Sequence, residues 1–147
     1  MKSLTELIVD LEKYQIKGTF QFKFDDILSK VCDIPICKEC SGIYLFYENG
    51  AKLIYTGISG RKNVNGGITH RRDGLRGRFL TGKQFGDLRS KTLSIQMRNE
   101  TISFLEIKWF VTYGGQSFDI PRPIEQNIIR AHKTENIGLR PRWNKRD

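Results

Sequence analysis

The chain has no hydrophobic run approaching the ~18 residues that a membrane-spanning helix needs. Acids interrupt its first fifteen residues (MKSLTELIVDLEKYQ), where a secretory leader would be apolar. A cytoplasmic protein with no membrane partner is therefore expected. Metal-ligating side chains are scarce too, with three cysteines and two histidines in 147 residues. Cys37 and Cys40 form a C-x-x-C pair with Cys32 nearby, but no second pair follows, so the four ligands of a structural zinc site are missing. An odd cysteine count makes no disulfide framework, and buried free thiols in a reducing compartment are the expectation. Acidic residues are also few, 16 against 25 Lys and Arg, which leaves a net charge of +9.

What is present suffices for a folded domain. Hydrophobic residues make up 38% and aromatics 11%, which excludes a disordered chain, and the length admits one domain. The charge is uneven: residues 1–57 hold 7 basic and 8 acidic side chains, residues 58–147 hold 18 and 8. Within the second part, residues 58–98 carry ten basic side chains against two acids. Such clustering suits a surface that neutralises phosphates and releases counterions, so a nucleic-acid partner is expected. A solvated basic face kept for solubility is the plainer alternative.

Residues 1–41 read as an N-terminal helical elaboration. Ser3 and Glu6 make a capping-box pattern, and Leu4, Leu7, Ile8, Leu11 and Tyr14 recur at helical spacing over residues 4–15. Phe20, Phe22 and Phe24 alternate with polar residues as in an extended segment, and Asp25 or Asp26 can cap a short helix through Leu28. The pattern changes at Gly42, where a domain of residues 42–147 begins. GIYLFYE and AKLIYTGI flank Asn49-Gly50, which predicts a hairpin over 42–58 with a two-residue type I′ turn. That turn would place Phe46 opposite Leu53, Leu45 opposite Ile54 and Tyr44 opposite Tyr55. Residues 58–74 are loop by composition. Asp73 can cap a helix carrying Leu75, Arg78 and Phe79, and a second helix is expected near 86–98. A strand near 103–113 aligns Leu105, Ile107, Trp109, Val111 and Tyr113, and Pro123 opens a helix carrying Glu125 that Gly138 closes. The fold class is α+β, a small, mostly antiparallel sheet flanked by helices.

Gly42-Ile43-Tyr44, ten intervening residues and Tyr55-Thr56-Gly57 resemble the paired signature of the GIY-YIG nuclease family. Leu75-Arg76-Gly77-Arg78, Glu125 in a later helix, and Asn144 after Pro141 follow in the family's order, so the resemblance covers residues 42–144. It implies a hydrolase: a metal-dependent endonuclease cleaving DNA phosphodiesters, with RNA left open as a partner. In this resemblance Glu125 holds one divalent ion, Mg²⁺ or Mn²⁺. Arg78 contacts the scissile phosphate, with Arg76 as the rival two residues earlier. Tyr44 and Tyr55 match the two family tyrosines, one of which takes the proton from the attacking water, and Asn144 orients or bridges groups around the metal-binding glutamate. Arg61, Lys62, His70, Arg71, Arg72, Arg76 and Lys83 would supply further nucleic-acid contacts. Each position also has a plainer use. Glu125 in a first helical turn would complement the helix dipole, and a cross-strand tyrosine pair would stabilise a hairpin without catalysis. One departure is Gly82, where many members carry a histidine, and His70 is the nearest imidazole to substitute as a proton shuttle. The alternative is a nucleic-acid-binding module on the same scaffold that has lost catalysis. His132, seven residues after Glu125, is expected to pack rather than to ligate.

Overall fold

Six successive residues from Ser41 to Phe46 are buried, and a strand with no polar face has to be covered on both sides. The computed structural model, which describes residues 1–145, meets this demand with a three-layer α+β arrangement. In chain order, α1 (Leu4–Asp10) and a 3₁₀ turn (Leu11–Lys13) lead to β1 (Lys17–Lys23) and α2 (Leu28–Val31). The hairpin β2 (Ser41–Glu48) and β3 (Lys52–Ser59) follows, then the small hairpin β4 (Arg61–Lys62) and β5 (Ile68–Thr69). After α3 (Gly74–Thr81) come β6 (Lys83–Gln84), β7 (Asp87–Leu88) and α4 (Arg89–Asn99). The chain continues through β8 (Phe104–Gly114), β9 (Ser117–Phe118) and α5 (Pro121–Glu135). The main sheet has the order β1-β8-β2-β3, every pair antiparallel, so β2 is internal and β3 is an edge. One face packs Phe22, Tyr44, Phe46 and Ile107 against α3 and α4. The other packs Ile43, Leu45 and Phe110 against Ile128 of α5 and against Leu11 and Tyr14. No helix among the described residues is long and apolar enough to cross a membrane.

The first 41 residues are not helical throughout. The alternation of Phe20 and Phe22 is strand β1, paired with β8 from Lys17↔Phe110 to Lys23↔Phe104, and both rings lie in the central core. The Ser3–Glu6 capping box forms, but the α-helix stops at Asp10 instead of running to residue 15. Neither Asp25 nor Asp26 caps α2; Asp26 turns back to accept from the Lys23 amide at 2.8 Å. Asp73 occupies the N-cap position of α3 without a side-chain hydrogen bond. Helix α5 begins two residues earlier than expected, at Pro121, and Gly138 closes the turn beyond it, donating to the Lys133 carbonyl at 2.8 Å. The expectation of three free thiols is corrected. Cys37 and Cys40 face each other across a tight turn with Cα atoms 5.4 Å apart and are disulfide-bonded, leaving only buried Cys32 free.

The hairpin departs from the expected register in a way that matters for the site. Asn49 and Gly50 adopt the positive φ values of a primed turn, but Ala51 joins the connection, so Glu48 pairs with Lys52 and Tyr47 with Leu53. Asn49 is drawn toward β8, its amide donating to the Phe104 carbonyl and its side chain accepting from the Ser103 amide. A three-residue turn alone would put Tyr55 on the face of Leu45. Ile54 then bulges out of the ladder, and pairing resumes with Phe46↔Tyr55 and Tyr44↔Gly57. Two one-residue shifts cancel in parity. Tyr44 and Tyr55 therefore share a face, but diagonally, with ring centroids 6.3 Å apart rather than directly opposed. Gly57 is the residue opposite Tyr44, and a Cβ there would collide with Cε2, Cζ and the hydroxyl oxygen of that tyrosine, so only glycine lets the ring close over β3.

Candidate active site

The free edge of β3 opens onto a cleft of about 390 Å³ that reaches both faces of the sheet. An exposed strand edge offers unpaired amides and carbonyls. Here the C-terminal segment covers part of it. The Trp143 amide donates to the carbonyl of the bulged Ile54 at 2.8 Å. The Asn144 side chain then acts as a strand residue: its Oδ1 accepts from the Thr56 amide at 2.9 Å and its Nδ2 donates to the Thr56 carbonyl at 3.0 Å. Beyond it, Thr56 Oγ1 donates to Glu125 Oε2 at 2.9 Å, so Asn144, Thr56 and Glu125 form one chain from the tail to α5. Thr56 was not singled out from the sequence. It lies inside Tyr55-Thr56-Gly57, where alternation alone places it on the face opposite Tyr55.

Glu125 is 9% exposed and is the lone carboxylate among the described residues that line the cleft. Burial pushes its carboxyl above the usual glutamate range, against the opposing pull of the Thr56 hydroxyl and of Arg122. No cation pairs with it among the described residues. Because α5 starts at Pro121, Glu125 sits beyond the first turn, and the helix-dipole role does not apply. No three metal-ligating side chains converge anywhere among the described residues, so a cation in the cleft would rest on Glu125 and solvent.

Across the strand, the two tyrosines surround a buried arginine. Arg89, at the start of α4, is 1% exposed. Its Nη2 donates to the hydroxyl oxygens of Tyr44 at 2.8 Å and Tyr55 at 3.2 Å, and its Nε donates to Gln84 Oε1 at 2.9 Å. Nη1 donates to the carbonyls of Phe79 and Arg78, so all five N–H groups are used and no partner is an acid. Burial pushes the Tyr55 phenol up to about 12 and neighbouring Tyr44 adds to the rise, while Arg89 pulls the other way. Arg89 was read from the sequence as one of ten cations in a basic block, and no local pattern distinguishes it from the others. Its partners are 5 to 45 residues away in the chain.

Five predicted catalytic positions, Tyr44, Tyr55, Arg78, Glu125 and Asn144, line this one cleft. Arg78 leaves its Nε without a partner there, and Lys83, Arg122 and Lys145 add positive charge to the walls. The other predicted nucleic-acid contacts are elsewhere. Arg61 and Lys62 are exposed on β4, and Arg71 and Arg72 are exposed in the turn before α3. His70 is held away from the cleft, with Nδ1 2.6 Å from Ser41 Oγ and its ring against Tyr113, so it does not substitute for the missing histidine. His132 is also outside the cleft, its Nδ1 2.7 Å from the Leu139 carbonyl oxygen.

Arg76 is neither a site residue nor a free phosphate contact. Its guanidinium donates to the carbonyls of Ile34 at 2.8 Å, Cys32 at 3.1 Å and Ser29 at 3.3 Å, tying the segment before β2 to α3. Arg76→Ala should therefore lower unfolding free energy by about 1–3 kcal/mol in denaturant titration. Nucleic-acid affinity should stay within twofold, whereas a free phosphate contact would show the reverse pattern.

Searches against family models, curated proteins and solved structures give no match for this chain.

Proposed function

We propose that this protein is a metal-dependent endonuclease of the GIY-YIG type that hydrolyses DNA phosphodiester bonds in the cleft at the β3 edge. The observation that supports this reading most is convergence. Five residues chosen by motif, spread from position 44 to position 144, line a single cleft. A hairpin built only for packing would not require Arg78, Glu125 and Asn144 to meet there.

Glu125 suits a hard divalent cation. One of its oxygens is held by Thr56, no cation among the described residues forms an ion pair with it, and a carboxylate beside open volume suits Mg²⁺ or Mn²⁺, which keep several waters. When bound, such an ion supplies Lewis-acid stabilisation of charge on the phosphate and its leaving oxygen. The other tasks fall to the chain's own groups. The Arg78 guanidinium stays charged and can grip two phosphate oxygens. Asn144 and Thr56 hold the Glu125 carboxylate in one orientation. With Tyr55 pushed up to about 12, a free phenolate is rare at neutral pH, so the tyrosine hydroxyls act first as hydrogen-bonding groups that place water and phosphate. Lys83, Arg122 and Lys145 attract the polyanion, and Arg61, Lys62, Arg71 and Arg72 extend the basic surface along its path.

Duplex binding should weaken with salt at a log–log slope of roughly −4 or steeper, from about 0.9 per phosphate contact across the cleft cations. Fluorescence anisotropy between low and physiological salt measures it, and a flat response would return the basic face to a role in solubility. Strand scission that chelator abolishes separates a nuclease from a binding module.

A further inference from the structure

Gly82 is a glycine that the backbone does not require. Its φ is −66°, which any residue adopts. What requires glycine is space, because a Cβ at this position would collide with Arg89 Nη1 and with the Arg78 carbonyl. The guanidinium thus fills the volume that a side chain at position 82 would occupy. Arginine can only donate hydrogen bonds. Each neutral side chain that meets Arg89 must therefore turn an oxygen toward it: Gln84 through Oε1, Tyr44 and Tyr55 through their hydroxyls. Their protons are left for other partners. Gln84 is 8% exposed, lines the cleft, and has a buried Nε2 with no partner; among the described residues the other buried donor without a partner is Nε of Arg78, which lines the same cleft. Buried donors are seldom left unpaired, and two in one cleft call for an acceptor.

We propose that Arg89 is a positioning residue that orients Gln84, Tyr44 and Tyr55 as donors, and that these with Arg78 form a binding subsite for the non-bridging oxygens of a phosphate group, Gln84 contacting them directly. The assignment rests on the nuclease reading and adds to it the residues that hold the reacting phosphate. It also explains Gly82 as the room left for Arg89.

The first test is independent of catalysis. Inorganic phosphate is titrated into the full chain while the side-chain amide of Gln84 and the Nε–H of Arg78 are followed by ¹⁵N NMR. Saturable shifts of both are expected. Gln84→Glu keeps an oxygen for Arg89 but replaces the unpartnered amide with a carboxylate oxygen, so the Arg78 shift should require at least about 10-fold more phosphate, as expected for losing a hydrogen bond to a charged group. In single-turnover cleavage of plasmid DNA at saturating protein, Gln84→Glu and Gly82→Ala should each lose about 10- to 100-fold in rate. Arg89→Lys should behave likewise if it folds. Its Arg78 shift then separates misplaced donors from a collapsed core. Phosphate shifts without any DNA cleavage would retain the subsite and reject the nuclease. Cleavage at the wild-type rate in Gln84→Glu and Gly82→Ala, or phosphate titration that leaves Gln84 unmoved, overturns the subsite while the nuclease reading stands.

Discussion

Glu125→Gln should lower cleavage at least about 10³-fold, because the group that would hold the metal is lost and a Lewis acid contributes several kcal/mol at about 1.4 kcal/mol per tenfold in rate. Affinity for DNA should stay within a few-fold, since Arg78, Lys83, Arg122 and Lys145 remain. The same substitution should stabilise the metal-free fold at neutral pH. Burial raises the Glu125 carboxyl in the folded protein, so the native state binds its proton more tightly than the unfolded state does. Wild-type stability from this group is then complete at low pH and is lost as pH rises through the raised value. Glutamine, nearly isosteric and still able to accept from Thr56, escapes that loss. The melting temperature of Glu125→Gln should exceed that of wild type above pH 7 and converge with it below the ordinary glutamate range. A variant less stable than wild type at every pH would show that the carboxylate is held by interactions other than those described.

Tyr44→Phe and Tyr55→Phe should each reduce the single-turnover rate about 10²–10⁴-fold, the range for groups that handle protons. Phenylalanine keeps the rings and their packing, including the edge-on contact of Tyr44 with Phe79 at 5.3 Å. The two substitutions should differ in stability. The Tyr44 hydroxyl is buried and accepts from Arg89, so its removal strands a guanidinium N–H and should cost about 1–3 kcal/mol. Tyr55 is half-buried and should cost less. Calorimetry alongside quench-flow separates these effects. Wild-type rates in both variants would remove the phenols from the chemistry.

Local pattern carried much of this fold. The alternation in residues 104–114 and the Pro-started helix around Glu125 required no knowledge of distant partners, and both are found. So is the shared face of Tyr44 and Tyr55, but by a route the sequence does not display. Asn49-Gly50 correctly signals a turn with positive φ, whereas Ala51 joining that turn and Ile54 leaving the ladder depend on β8 and on Trp143. The disulfide was missed because cysteine counting says nothing about whether Cys37 and Cys40 bracket a tight turn. Charge was the least legible property. Arg76, Arg78 and Arg89 look alike in a basic block, and only their surroundings make one a clasp, one a cleft cation and one a buried donor to two phenols. An arginine can use its five donors on carbonyls and hydroxyls far along the chain, leaving no periodicity to detect.

Cutting of phosphodiester backbones by a metal held in the cleft can be read directly from DNA topology. The most direct measurement is conversion of supercoiled plasmid to nicked and linear forms by excess wild-type protein, with Mg²⁺ or Mn²⁺ and with chelator, beside a branched-DNA substrate. Metal-dependent conversion of at least one substrate, abolished by chelator and by Glu125→Gln, is the predicted result. Salt-sensitive binding with no conversion of either substrate under either metal would contradict it and leave a nucleic-acid-binding module.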